Sequence, residues 1–388
     1  MPEHSTDEQF LRRALDLARQ GVGLASPNPQ VGAVIVDARG NIVGSGVYTY
    51  DGVKHAEVLA LEEAGEKARG GTLYINLEPH SHQGRTPPCT DALIAAGICR
   101  VVACMADPNP KVSGRGFEKL RAAGVHVEVG GLEAEARRVN EAFARYIRHG
   151  IPLVTLKAAM TLDGKIAPAP TAESKKEPGT PGGGWITGQA ARAHVHEQRH
   201  QSDAILVGVG TILADDPLLT DRSGHPRRRP LLRVILDSHL RLPLQSRLVQ
   251  SATNASAGEK DVLLFCCDGD EKKKEKLETR GIRVEQLPAA AADRRPDINA
   301  ILRRLGDLGI TSLMIEGGST VNGMALASGI VDKVFFYYAP KIMGAASVPL
   351  AGADFSHLNA ALHLKHSRLH RFGEDFAVEG YLRNPYEE

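Results

Sequence analysis

Residues 55–107 read HAEVLALEEAGEKARGGTLYINLEPHSHQGRTPPCTDALIAAGICRVVACMAD, and their alternation decides the fold. HAEVLALEEAGEK (55–67) is helical in pattern and Gly70-Gly71 stops it. TLYINLE (72–78) reads as a strand and PHSHQGRTPPC as a loop. TDALIAAG (90–97) is a second helix ended by Gly97, and ICRVVACMAD (98–107) a second strand. Upstream, DEQFLRRALDLARQ (7–20) places Phe10, Leu11, Ala14, Leu15, Leu17 and Ala18 largely on one helical face. A turn-rich SPNP (26–29), a buried strand VGAVIV and a short hairpin bracketed by Asn41 and Gly44 follow it. Downstream come a helix around 116–123 and a strand VHVEV. Strands regularly exchanged for helices predict an α/β sandwich over residues 1–149.

A second α/β series fills residues 150–388, with the boundary at Gly150-Ile151-Pro152. It starts at PLVTLKAAMTLDGK (152–165); strands are read at 204–210, 231–237, 262–267, 312–318 and 333–343, with helices at 187–200, 297–308 and up to Ser328. PAPTAESKKEPGTPGGG (168–184) and the polar stretch 251–260 are read as loops.

Composition narrows the class. The 388 residues are 42% hydrophobic and 24% charged, which suits two globular domains and not disorder. Lys and Arg number 47 against 46 Asp and Glu, so the formal charge is +1 and no broad positive field favours nucleic acid. Arg227-Arg228-Arg229 lies between prolines and reads as a solvated loop. No signal peptide or membrane span is expected. Five unpatterned cysteines fit reduced thiols in a cytoplasmic enzyme, and Cys99 and Cys104, in or beside an apolar strand, read as core.

Three residues carry metal chemistry. His55 opens a helix, His80 follows a strand, and Cys89 opens another helix, so element ends converge. A lone His at a helix start is ordinarily a cap or surface residue; the combination with a downstream ligand pair is a zinc (Zn2+) site. Imidazole and thiolate are good zinc ligands, and three of them leave the fourth position for water. Zinc lowers the pKa of that water to about 7. Glu57, two residues from a ligand but not itself one, is placed to carry protons.

HAE followed by LEPHSHQGRTPPCTDALIAAG resembles the cytidine-deaminase-like zinc deaminases, and within them the bifunctional riboflavin-biosynthesis deaminase–reductases. PNPQVGAVIV and DPNPKVSGRG fit the same family, and the resemblance covers nearly the whole chain. Eight residues separate His80 from Cys89, where nucleoside and nucleic-acid deaminases use a shorter PCxxC. The sequence departs from the family in one ligand, since His80 stands where the family has Cys. A neutral ligand replaces an anionic one, and His82 is a competing donor.

The resemblance implies a cytidine-deaminase-like α/β/α sandwich joined to an α/β domain similar to dihydrofolate reductase, with NADPH as second cofactor. KAAMTLDGK, WITG, SDAILVGVGTILADDPLLT, ILDS and EGGST look like the reductase half. By that likeness Ala159, Trp185, Thr211, Asp215, Ser238 and Gly318, Ser319, Thr320, Val321, Asn322, Gly323 and Met324 line the NADPH site. Lys157, Arg199, Leu219, Arg222 and Glu316 meet the substrate, and Arg suits its phosphate. Gly183 holds a position where the family has a substrate-contacting Ser. Trp185 reads equally as core. Asp163, in an Asp-Gly pair, reads as a turn. Read on the residues alone, Glu316–Thr320 and Gly208-Val209-Gly210-Thr211 are strand-to-helix turns able to hold phosphate. Neither is the GxGxxG of an ordinary nucleotide dehydrogenase.

The family's two reactions are therefore expected. The first removes the 2-amino group of 2,5-diamino-6-(5-phosphoribosylamino)pyrimidin-4-one as ammonia, with Asn28 holding the pyrimidine. The second reduces the ribosyl chain to ribityl with NADPH. The expected partners are this phosphorylated aminopyrimidine and further copies of the chain, with no nucleic acid and no membrane. The principal alternative is a reductase alone, its deaminase half impaired by His80. A nucleic-acid base deaminase would need an aromatic-lined basic groove, against 5% aromatics. A purely structural zinc module would need a fourth ligand, which only His82 offers.

Overall fold

The computed structural model describes residues 4–84, 86–168, 185–253, 260–289, 295–352 and 361–387. Gly183, the loop expected at 168–184 from residue 169 onward and most of the loop expected at 251–260 lie outside them. The chain divides into two compact units, residues 1–150 with Pro226–Arg229, and 151–225 with 230–388. Arg227–Arg229, expected as a solvated loop, are half-buried and count with the first unit.

The first unit runs α1 (His4–Arg19), β1 (Gly32–Val36), β2 (Ile42–Val47), α2 (Ala56–Ala64), β3 (Thr72–Ile75), α3 (Cys89–Ala95), β4 (Arg100–Ala103), α4 (Arg115–Ala122), β5 (His126–Val129), α5 (Glu133–Val139) and α6 (Glu141–His149). Its sheet has the order β2-β1-β3-β4-β5, antiparallel at β2-β1-β3 and parallel beyond. The GAVIV strand is buried throughout because helices cover both faces. Ala33 and Ile35 pack with Ala56, Ala60 and Ala64 of α2, while a Cβ at Gly32 would lie 2.2 Å from the Ala14 carbonyl oxygen of α1. Gly44 lies inside β2, not at the hairpin turn, which Asp37 closes by accepting from the Arg39 and Asn41 amides. A Cβ at Gly46 would sit 2.1 Å from the Ala56 carbonyl oxygen. Glycine there lets the N-terminal turn of α2, which carries Glu57, press directly on the sheet.

The second unit runs β6 (Leu153–Thr161), β7 (Lys165–Ala167), α7 (Gln189–Gln201), β8 (Ala204–Gly208), α8 (Val209–Asp215), β9 (Leu232–Leu236), α9 (Arg247–Thr253), β10 (Val262–Cys266), α10 (Glu271–Glu278), β11 (Arg283–Gln286), α11 (Ile298–Asp307), β12 (Ser312–Ile315), α12 (Ser319–Ala327), β13 (Lys333–Ala339), β14 (Val348–Pro349), β15 (Lys365–Phe372) and β16 (Asp375–Tyr381). Nine strands form one sheet in the order β11-β10-β9-β8-β12-β6-β13-β16-β15. It is parallel from β11 to β13 and antiparallel at the last two strands. Two apolar layers cover its faces, one including Leu206, Val234, Phe265 and Ile315, the other Ile205, Ile235, Leu264 and Met314. The stretch read as one strand at 204–210 divides, because α8 begins at Val209. Trp185 is 59% exposed with the Arg192 guanidinium over its ring, so it is not core. Cys104 is buried as expected, but Cys99 is exposed, its Sγ 3.0 Å from the Gly70 carbonyl oxygen, and is not core. Among the described residues, no helix is long and apolar enough to cross a membrane.

Candidate active sites

In the first unit, His55 caps α2 in an extended conformation (φ −71°, ψ 157°). Cys89 opens α3 after Pro87-Pro88. Its Sγ lies 3.1 Å from Nδ1 of His80 and 3.3 Å from Nδ1 of His55. The ligand atoms of His55, His80 and Cys89 all fall within 4.8 Å of one another, and His82 is not part of the cluster. Zinc bonds of about 2.1 Å to nitrogen and 2.3 Å to sulfur at the tetrahedral angle separate N from S by about 3.6 Å. The spacing and the donor set therefore fit a zinc ion with little movement. His82 stands edge-on to the His80 ring, 5.3 Å away between centroids.

Burial pushes the Glu57 carboxyl up to about 7, opposed by hydrogen bonds from its own amide and from Cys89. Burial likewise holds His80 down at about 4 and lowers His55, while burial and the Glu57 charge raise the Cys89 thiol well above its usual value. Both imidazoles are thus neutral near pH 7 and the thiol keeps its proton. Asn28 Nδ2 donates to Tyr48 Oη at 2.6 Å, and the Tyr48 ring meets the His55 ring edge-on. Asn28 is in this way tied to the cluster.

Glu78, unremarked in the sequence although it directly precedes Pro79-His80, is 5% exposed. Its carboxylate accepts from the amides of Asp107 (3.0 Å), Gly114 (2.9 Å) and Gly116 (2.8 Å). A Cβ at Gly116 would lie 2.1 Å from the Pro79 carbonyl oxygen, so the DPNPKVSGRG loop packs onto the ligand loop itself. Glu78→Ala would orphan three amides. We expect it to destabilise the first unit by about 3–5 kcal/mol and weaken zinc retention. Denaturant unfolding with zinc content read on the same samples checks this, and an unchanged midpoint would refute it.

In the second unit, Lys157 on β6, Arg199 on α7 and Glu316 at the end of β12 converge. Arg199 Nε and Nη2 donate to the two Glu316 carboxylate oxygens at 2.7 and 2.9 Å, and Lys157 Nζ lies 3.6 Å from one of them. Burial raises the Glu316 carboxyl, yet Arg199 and Lys157 outweigh it and hold it at about 2. Burial lowers Lys157 against the pull of Glu316. Arg199 was expected to grip phosphate through its fork; the fork is committed to Glu316, and Nη1 to the Thr220 carbonyl oxygen at 2.9 Å. Leu219, next to Thr220, is buried with φ +57°, an uncommon conformation for a branched residue. Arg222 is exposed on the same loop. His196, one helical turn before Arg199 and not anticipated, is held below its usual pKa by burial and then by the charges of Arg199 and Arg222.

A cavity of about 320 Å³ opens at the strand ends of the same unit. Of the residues expected at the cofactor, Thr211, Ser238, Gly318, Ser319, Thr320, Val321 and Met324 line it. Ala159, Trp185, Asp215, Asn322 and Gly323 are not in its lining. Ala159 packs under α7 against an apolar cluster, and Asn322 and Gly323 face inward from α12, where the Asn322 Nδ2 donates to the Leu350 carbonyl oxygen. Helices α8 and α12 both start at the cavity. A Cβ at Gly317 would lie 2.6 Å from the Val321 Cβ, so glycine allows α12 to begin this close to its strand. Ser319 Oγ is buried with no hydrogen-bond partner among the described residues. Two helix N-termini and an orphaned hydroxyl suit the diphosphate of a dinucleotide.

Fold and sites together define the class: an α/β enzyme that joins a zinc-dependent deaminase to a nucleotide-dependent reductase. The family model for the cytidine and deoxycytidylate deaminase zinc-binding region matches residues 4–105, and that for the RibD C-terminal domain matches residues 152–378. Among curated relatives, riboflavin biosynthesis protein RibD of Actinobacillus pleuropneumoniae is 42% identical over 98% of this chain and 96% of its own, and that of Escherichia coli 41% identical over 87% and 89%. Among solved structures, Acinetobacter baumannii RibD superposes with a TM-score of 0.82 at 32% identity, covering 98% of this chain and 99% of that one. A Thermotoga maritima diaminohydroxyphosphoribosylaminopyrimidine deaminase/5-amino-6-(5-phosphoribosylamino)uracil reductase gives 0.81 at 36%, with the same coverage. The chain belongs to the RibD family of bifunctional riboflavin-biosynthesis deaminase–reductases, which use zinc and NADPH.

Proposed function

We propose that residues 1–149 deaminate 2,5-diamino-6-(5-phosphoribosylamino)pyrimidin-4-one and residues 150–388 then reduce its ribosyl chain to ribityl. The observation that carries the first step is the convergence of His55, His80 and Cys89 beside the buried Glu57. Because imidazole at position 80 meets the zinc geometry, the reductase-only alternative is not favoured. When bound there, zinc supplies the Lewis acidity that makes water a nucleophile at neutral pH. Glu57 takes the water proton and delivers it to the departing amine, a task suited to a buried carboxylate beside the ligand cluster but outside it. Asn28, fixed by Tyr48, orients the pyrimidine.

In the second half, NADPH supplies the hydride. Thr211, Ser238 and the Gly318–Val321 turn hold it, and Lys157 with the Arg199–Glu316 pair presents the ribosyl chain. Arg222, exposed and not tied to Glu316, is the residue we assign to the substrate phosphate. The exposed edge strand β15, with Leu369 63% exposed, supports self-association of this cytoplasmic enzyme. The test is a two-stage assay on zinc-loaded protein: ammonia released from the pyrimidine substrate, then NADPH oxidised by the deaminated product. Oxidation without ammonia would overturn the deaminase assignment.

Zinc uptake gives a separate check. The imidazoles are already neutral and Cys89 must lose its proton, so binding near pH 7 is expected to release at least one proton per zinc, with Glu57 and the bound water supplying any excess. Calorimetry in buffers of different ionisation heat measures it, and a release of zero would remove Cys89 from the ligand set.

A further inference from the structure

We propose that Arg228, although it comes from the reductase half of the sequence, is a positioning residue of the deaminase. It clamps the turn that carries Asn28 and so holds the pyrimidine-orienting amide in place; this rests on the role given to Asn28 above. Pro226–Arg229 belong to the first compact unit, while the chain on either side, up to His225 and from Pro230, belongs to the second. The segment is thus a strap that the later half of the sequence contributes to the earlier one.

Residues 21–28 form an irregular stretch of turns, so their backbone groups have no helix or sheet ladder to pair with. Four successive carbonyl oxygens are nevertheless all taken. That of Leu24 accepts from the Tyr50 amide at 3.0 Å, and that of Ala25 from the Asn28 amide at 3.0 Å. The other two fall to Arg228, whose backbone amide donates to Gly23 at 2.9 Å and whose Nη2 donates to Ser26 at 2.9 Å. Arg229 Nη2 adds a bond to Ser26 Oγ at 3.2 Å. The Arg228 guanidinium also lies over the Tyr50 ring, 4.2 Å from its centroid. A planar guanidinium can rest its face on a ring while its edge donates to a carbonyl, which an ammonium cannot do.

Tyr50 is two residues beyond Tyr48, whose hydroxyl accepts from Asn28 Nδ2 at 2.6 Å. Arg228 therefore braces both anchors of Asn28, the turn from which its backbone leaves and the segment that carries its side-chain partner. These contacts fall on the turn and on Tyr50, not on the ligand cluster of His55, His80 and Cys89. Their loss should loosen the hold on the pyrimidine and leave the metal in place.

The experiment follows ammonia release by zinc-loaded full-length protein for wild type, Arg228→Ala, Arg228→Lys, Asn28→Ala and the double alanine variant. Arg228→Ala keeps the backbone bond to Gly23; it is expected to raise KM for the pyrimidine roughly 5- to 30-fold and change kcat less than about threefold. Zinc content and NADPH-dependent reduction should stay at wild-type levels. Arg228→Lys, which restores a cation beside Tyr50, is expected to recover part of the loss. Because Arg228 acts through Asn28, its effect on kcat/KM should shrink to less than about twofold once Asn28 is alanine. Full additivity of the two substitutions would overturn the proposal, and so would an unchanged KM in Arg228→Ala. Zinc or reductase activity lost together with KM would overturn it too, since the arginine would then serve the fold at large. Asn28→Ala with wild-type kinetics would instead sink the role of Asn28 beneath it.

Discussion

Glu57→Gln is expected to lower kcat for ammonia release by roughly 10²- to 10⁴-fold while zinc content stays at the wild-type level. The substitution keeps size and shape at a position 3% exposed, and Glu57 lies outside the three-atom ligand cluster. What disappears is a group able to accept and return a proton. NADPH-dependent reduction of the deaminated product is the internal control and should be unaffected. Ammonia release at the wild-type rate would move the proton-carrying role to another residue.

Glu316→Gln should have the larger structural effect. Lys157 and Arg199 would face each other in a buried site with no anion between them, and breaking such a buried pair costs about 3–5 kcal/mol. Part of that cost is avoidable by deprotonating Lys157, whose pKa falls further once the opposing charge is gone. Reduction is expected to be lost while ammonia release continues. The sign with pH follows from the native carboxyl being held at about 2, below its ordinary 4.5. Its stabilisation is complete above about 4.5 and disappears as pH falls through about 2. The variant's loss of stability should therefore be full at neutral pH and shrink on acidification. Denaturant midpoints across that range decide it, and a difference independent of pH would refute the ionic account.

The parts of the molecule legible in the sequence were those where chemistry restricts residue type at an element end. His55, Glu57 and Cys89 stand at helix starts, and zinc accepts few other side chains. Buried parallel strands such as VLLFC at β10 were legible as continuous apolar runs. The hairpin β15–β16 was not: KHSRLHRF is exposed at six of eight positions and carries no apolar period. The helices α5 and α6 also went unread, although α6 is strongly amphipathic. The commitment of Arg199 to Glu316 joins residues 117 positions apart, which no local pattern reports.

The place of β12 has a consequence for how the protein is made. It lies between β8 and β6, yet it is synthesised after β9, β10 and β11. From Leu153 to Ser312 is 159 residues (312 − 153), which a ribosome adding about 5–20 residues per second takes about 8–32 s to produce. Through that interval β6 lacks both its sheet neighbours, and strands such as LRVIL and VLLFC have only half a sheet to bury them. The first unit, nearly complete by Gly150, meets no such delay. Nascent chains should therefore acquire a folded, zinc-competent amino-terminal half early, and chaperone demand should fall on the carboxyl-terminal half until its central strand emerges.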